Sequence, residues 1–120
     1  MHLIVNPAAA GGRLGKRWSG VAARLRQLGL DAPVSLTTAP GHASDLAADA
    51  AARGAGVVVA VGGDGTVSEV LEGIHGSSVA LGILPLGTGN DAARTLAVPS
   101  GLEAAVRVLL ADRRRRIDLV

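Results

Sequence analysis

Short apolar runs alternate along the chain with longer stretches in which apolar residues recur at steps of three and four. The first pattern reads as strand and the second as amphipathic helix. His2 to Val5 is a short strand, and Asn6-Pro7 with Ala8 to Gly12 forms a small-residue loop at its end. Leu14, Trp18, Val21, Ala22, Leu25 and Leu28 make the apolar stripe of a helix that closes near Gly29, with Trp18 as a core residue. Pro33 to Thr37 predicts a second strand, turned by Thr37, Thr38, Pro40 and Gly41. Ala43, Leu46, Ala47, Ala50 and Ala51 predict a second helix ending at Gly54, whose alanines let it lie close on a sheet. Val57 to Val61 is Val-rich and bounded by glycines, the signature of a strand buried on both faces. A helix carrying Val70, Leu71 and Ile74 follows it, then a fourth strand over Val79 to Leu84. A short helical piece through Leu96 precedes a last helix opened by Pro99 and Ser100, with Leu102, Ala105, Val106, Leu109 and Leu110 buried. This alternation predicts an α/β fold: three layers, a mostly parallel sheet with right-handed crossovers and helices on both faces.

The stretch from Ala55 to Ile74 carries the chemistry. Gly62-Gly63-Asp64-Gly65-Thr66 lies at the carboxyl end of the Val-rich strand, where ligands collect in such sheets. Thr66 stands where an N-cap belongs, and Glu69 three residues on completes a capping box, a spacing that Ser100 and Glu103 repeat. Unpaired N–H groups and the positive end of the helix dipole make an anion such as phosphate the expected guest. A plain strand-to-helix turn with no guest is the alternative. Further glycine-bearing loops near Gly11 and Gly89 are expected on the same side of the sheet.

With 120 residues, 48% of them hydrophobic, the chain suffices for one domain with its own core. It has no cysteine, so disulfides and thiolate metal sites are excluded, in keeping with a cytoplasmic setting. No apolar run approaches the length of a membrane span or a signal peptide. The formal charge of +2 is small and Trp18 is the sole aromatic, which argues against nucleic acid as a partner. Arg113 to Arg116 read as a solvated surface, with attraction to an anionic lipid surface as the alternative.

Taken together, Gly62 to Thr66 with Glu69-Val70, Asn6-Pro7 with Gly11-Gly12, and Pro85-Leu86-Gly87-Thr88-Gly89-Asn90-Asp91 resemble the nucleotide-binding domain of the diacylglycerol kinase and sphingosine kinase family, bacterial lipid kinases included. The resemblance covers essentially the whole chain. The GGDGT pattern alone is shared with NAD kinases; the proline-led second loop ending in Asn-Asp turns the match toward lipid kinases. The resemblance implies a diacylglycerol kinase-like nucleotide-binding domain over residues 1–116, with 117–120 beginning a second, β-rich domain that would carry the acceptor cleft and a general base. It implies ATP as phosphoryl donor, Mg²⁺, and transfer of the γ-phosphate to a lipid hydroxyl such as that of diacylglycerol, with this chain inactive alone.

Nucleotide-binding residues implied by the resemblance are Asn6, Pro7, Gly11, Gly12, Thr37, Gly62, Gly63, Asp64, Gly65, Thr66, Val67, Ser68, Glu69, Thr88 and Asn90. Asp64 is the expected catalytic residue, and Asp64, Asp91 and Asp118 the expected metal set, acting through water. Read without the resemblance, Asp91 serves equally as a helix cap and Asp118 as an exposed charge. Expected partners are ATP, the acceptor lipid, the missing C-terminal domain, a peripheral contact at the cytoplasmic face of a membrane, and further copies of the chain as a homo-oligomer. Two other readings stay open. One is an NAD kinase-like domain. The other is a non-catalytic dinucleotide-binding or scaffold module, since Gly87 to Ala92 fits G-x-G-x-x-A.

Overall fold

The structure is a computed structural model in which residues 1–86 and 101–111 are described. Its elements run β1 (His2–Val5), α1 (Arg13–Gln27), β2 (Val34–Leu36), α2 (His42–Ala52), β3 (Val57–Gly62), α3 (Asp64–Ile74), β4 (Ala80–Pro85) and α4 (Leu102–Leu110). The strands form one four-stranded sheet in the order β2-β1-β3-β4, and every neighbouring pair is parallel.

Strand alternation sorts the core into two halves. Leu3, Val5, Val57, Val59, Val61 and Leu84 face one way and pack with Leu14, Val21 and Leu25 of α1 and Ala105 and Val106 of α4. Ile4, Val58, Ala60 and Ile83 face the other way and pack with Ala43, Ala47 and Ala50 of α2 and Val67, Val70 and Ile74 of α3. The three-layer α/β arrangement with helices on both faces is therefore as the pattern requires. All six residues of β3 are buried, because the strand lies between β1 and β4 and is covered on both faces. Trp18 packs half-buried against the α1 side of the core.

Alanine and glycine set the close packing of α2 on α3. A Cβ on Gly73 would fall on the Ser44 carbonyl oxygen and 2.9 Å from Ala47 Cβ. Among the described residues no helix is long and apolar enough to cross a membrane.

Candidate functional site

Because β1 is flanked by β2 and β3 and all three run the same way, their carboxyl ends lie side by side. The Asn6 loop, the Thr37–Gly41 turn and the Gly62–Gly65 loop are thus brought together from distant parts of the sequence. Asn6 N–H donates to Val61 O at 3.1 Å and Thr37 N–H to Val5 O at 2.9 Å, which ties the residue after β1 to β3 and the residue after β2 to β1. Asn6 Oδ1 accepts from Ala8 N–H at 3.0 Å and from the Thr37 hydroxyl at 3.3 Å. Both bonds use the oxygen, so what Asn6 can offer a guest is its NH₂ donors. Beyond it Ala10, Gly11 and Gly12 all have positive φ (56°, 67° and 88°), which glycine adopts without strain at the last two positions before α1 begins.

Two adjoining pockets open over these strand ends. One, of about 330 Å³, is walled by Asn6, Pro7, Ala8, Thr37, Thr38, Ala39, Pro40, Ala43, Thr66 and Glu69. The other, of about 280 Å³, is walled by Asn6, Ala9, Ala10, Gly63, Asp64, Gly65 and Thr66. Asn6 and Thr66 belong to both and form the threshold between them.

The start of α3 differs from the expected capping box. Gly63 is the N-cap, with extended backbone and no side-chain cap, and Asp64 is already helical, so Thr66 sits within the first turn. Glu69 does not reach back to cap its own helix either: Glu69 Oε1 accepts from Ala43 N–H at 3.2 Å and caps α2 instead. The reason is that Gly63 completes the turn by its backbone alone, which moves the helix start three residues earlier. The Thr66 hydroxyl is left buried without a hydrogen-bond partner among the described residues, in a residue 3% exposed. An orphaned buried hydroxyl costs about 1–3 kcal/mol, so its position at the shared threshold marks a place for a guest's polar atom. Gly65 adds a second sign. It lines the smaller pocket, and among the described residues a Cβ there would meet nothing within 4 Å, so no described atom explains its lack of a side chain.

The last helix starts one residue later than a cap at position 100 would place it. Its N-cap is Gly101, and Glu103 is paired with Arg24 at 3.7 Å and Arg107 at 3.6 Å.

Of the residues singled out from sequence, Asn6, Pro7, Thr37, Gly63, Asp64, Gly65, Thr66 and Glu69 line the pockets. Gly11, Gly12, Gly62, Val67 and Ser68 do not: Val67 belongs to the core, Ser68 is exposed, and Gly62 packs beneath Thr66. Thr88, Asn90, Asp91 and Asp118 lie outside the described residues, as do the loop around Gly89, the Ser100 half of the second capping box and the arginines at 113–116. Sequence reasoning missed Thr38, Ala39, Pro40 and Ala43 as pocket wall; the Thr-Thr-Ala-Pro-Gly run marked a turn, without marking where it faces.

Among the described residues no group of three His, Cys, Asp or Glu could hold a metal ion. Asp64 is the acidic side chain in the smaller pocket, and such a donor set fits an ion completed by phosphate oxygens and water.

Comparison with known proteins agrees with this architecture. Residues 1–120 match the family described as the diacylglycerol kinase catalytic domain. A diacylglycerol kinase of Mycobacterium tuberculosis is 37% identical over 110 residues, covering 91% of this chain and 35% of that protein. A diacylglycerol kinase of Bacillus subtilis is 35% identical over 100 residues, covering 82% and 33%. The crystal structure of a diacylglycerol kinase from Bacillus anthracis superposes with a TM-score of 0.76 at 31% identity, covering 93% of this chain and 39% of that one. The chain spans about a third of the length of the curated relatives it matches. A family match along the whole sequence, on a sheet and loop arrangement shared with a solved relative, makes this chain a member of the diacylglycerol kinase catalytic domain family.

Proposed function

We propose that this chain is the ATP-binding part of a lipid kinase that transfers the γ-phosphate of ATP to a lipid hydroxyl of the diacylglycerol kind. The observation that carries the reading is the orphaned Thr66 hydroxyl at the threshold of two pockets, beside the N-terminus of α3. The larger pocket suits the nucleoside, met by the Asn6 amide and the Thr37–Pro40 turn. The smaller suits the phosphates, met by first-turn N–H groups of α3, the Thr66 hydroxyl and the helix dipole. Gly65 lets the phosphates approach the main chain.

Asp64 is the residue to which we assign Mg²⁺, joined in the reading by Asp91 and Asp118. The ion, when bound, neutralises charge on the β- and γ-phosphates. What the chain's own residues contribute is binding and orientation: the phosphates are held against N–H donors, and Asp64 fixes where the ion can sit. The acceptor hydroxyl must also be oriented and deprotonated, which in this reading falls to a second, β-rich domain beyond residue 116, with the membrane's cytoplasmic face as the source of lipid. The family match favours this acceptor over NAD, since phosphate chemistry alone does not separate the two.

Titration calorimetry with ATP, NAD and NADP, each with and without Mg²⁺, tests the proposal. Saturable, Mg²⁺-strengthened binding of ATP is expected, and preferential binding of NAD or NADP would overturn it. Thr66→Val removes the buried hydroxyl at nearly constant volume, so the ligand-free fold should be as stable as before or more so. ATP affinity should fall about tenfold, the loss of one hydrogen bond to a charged group.

A further inference from the structure

We infer that His42 is a positioning residue for the nucleoside pocket, acting through the Thr38–Gly41 turn; the inference rests on the nucleotide reading of that pocket. His42 is the first residue of α2, directly after Gly41. Its Nδ1 lies 3.0 Å from Thr38 N and 3.2 Å from Thr38 Oγ1. A backbone N–H can only donate, so Nδ1 must be the acceptor, and the proton of the neutral ring is on Nε2. His42 N–H in turn donates to Ala39 O at 3.2 Å. The turn is therefore closed on both sides by one residue: the ring holds its first N–H, and the backbone holds the carbonyl that follows.

What the ring holds is a wall. Thr38, Ala39 and Pro40 are exposed and line the larger pocket. Thr37, one residue earlier, is buried and bonded to Asn6, so the chain is anchored before the turn. Ala43, one residue past His42, is anchored by Glu69. Between these anchors, among the described residues, the His42 ring is the side chain hydrogen-bonded to the turn.

The number of bonds from the backbone defines the rescue variant. Asn Oδ1 stands as far along its side chain as His Nδ1 does, so His42→Asn keeps an acceptor in place, whereas His42→Ala removes it. ATP titration of the 120-residue chain, its His42→Ala and its His42→Asn forms, with thermal unfolding of each without ligand, tests this. His42→Ala should weaken ATP binding about tenfold with ligand-free unfolding little changed, and His42→Asn should return affinity to within about threefold. Ring nitrogen shifts in the unsubstituted chain should show Nδ1 unprotonated in the neutral form, and the Thr38 amide should exchange faster in His42→Ala than in His42→Asn. Parental affinity in His42→Ala, equal losses in both variants, or a protonated Nδ1 in the neutral ring overturns the inference alone. Failure of the unsubstituted chain to bind ATP overturns the nucleotide reading and this inference with it.

Discussion

A Cβ built on Gly62 would fall 2.6 Å from Thr66 Oγ1 and 3.2 Å from Thr66 Cβ, whereas one built on Gly65 meets nothing within 4 Å. Two glycines of one motif thus answer to different constraints. Gly62, with φ +154°, makes room for the threonine that carries the orphaned hydroxyl. Gly65 makes room for nothing among the described residues and, as glycine in a helix, costs about 0.5–1 kcal/mol relative to alanine. Opposite outcomes follow. Gly62→Ala should lower unfolding free energy by about 1–3 kcal/mol through overpacking, read by urea denaturation. Gly65→Ala should hold or raise stability by up to about 1 kcal/mol while weakening ATP binding, read by the same denaturation and by calorimetry. Parental affinity in a folded Gly65→Ala chain would refute close phosphate approach at this position.

Between α2 and α3 the same residue type works at the level of a helix pair. Gly73 sits against the Ser44 carbonyl and Ala47, so the two helices meet nearly backbone to backbone. That closeness brings the N-terminus of α2 within reach of Glu69, whose carboxylate caps it and also walls the larger pocket. Helix propensity alone predicts a gain for Gly73→Ala. The packing predicts the reverse, a loss of about 1–3 kcal/mol as the helices are forced apart. Gly20→Ala in α1, where a Cβ meets nothing, is the control and should gain up to about 1 kcal/mol. Equal responses of the two variants to urea would show that α2 and α3 are not held this closely. The pairing lies beyond periodicity: the i, i+3, i+4 pattern assigns each helix a buried face without saying which helix lies beside it.

At the scale of the whole molecule, ATP binding and phosphoryl transfer are expected to separate. ATP with Mg²⁺ at a hundredfold its Kd should stabilise the chain by about 2.7 kcal/mol, an upward shift of Tm on the order of 10 °C. A diacylglycerol phosphorylation assay on the same chain should give no turnover, because orientation and deprotonation of the acceptor are assigned to residues beyond it. Robust turnover would sink that division of labour. The parallel sheet makes such a division natural: β1, β2 and β3 deliver their following loops to the same edge, so a nucleotide site can be assembled there from one domain.

Four strands and the helices between them were legible in the sequence, the strands with boundaries shifted by a residue and the start of α3 by three, because strand and helix periodicities are local and follow from which side chains must leave water. The glycine loop at the end of β3 was legible for the same reason, since glycine and strand end are neighbours in the chain. The capping box at Thr66 was read wrongly because spacing shows that a threonine can cap but not whether a glycine has already closed the turn, as Gly63 does. Strand order β2-β1-β3-β4 decided the rest: it set Asn6 against Thr37 across 31 residues and Ala43 against Glu69 across 26. Those contacts depend on which strands lie side by side, a global outcome of burying both faces of the sheet at once, and no local pattern of apolar residues carries it.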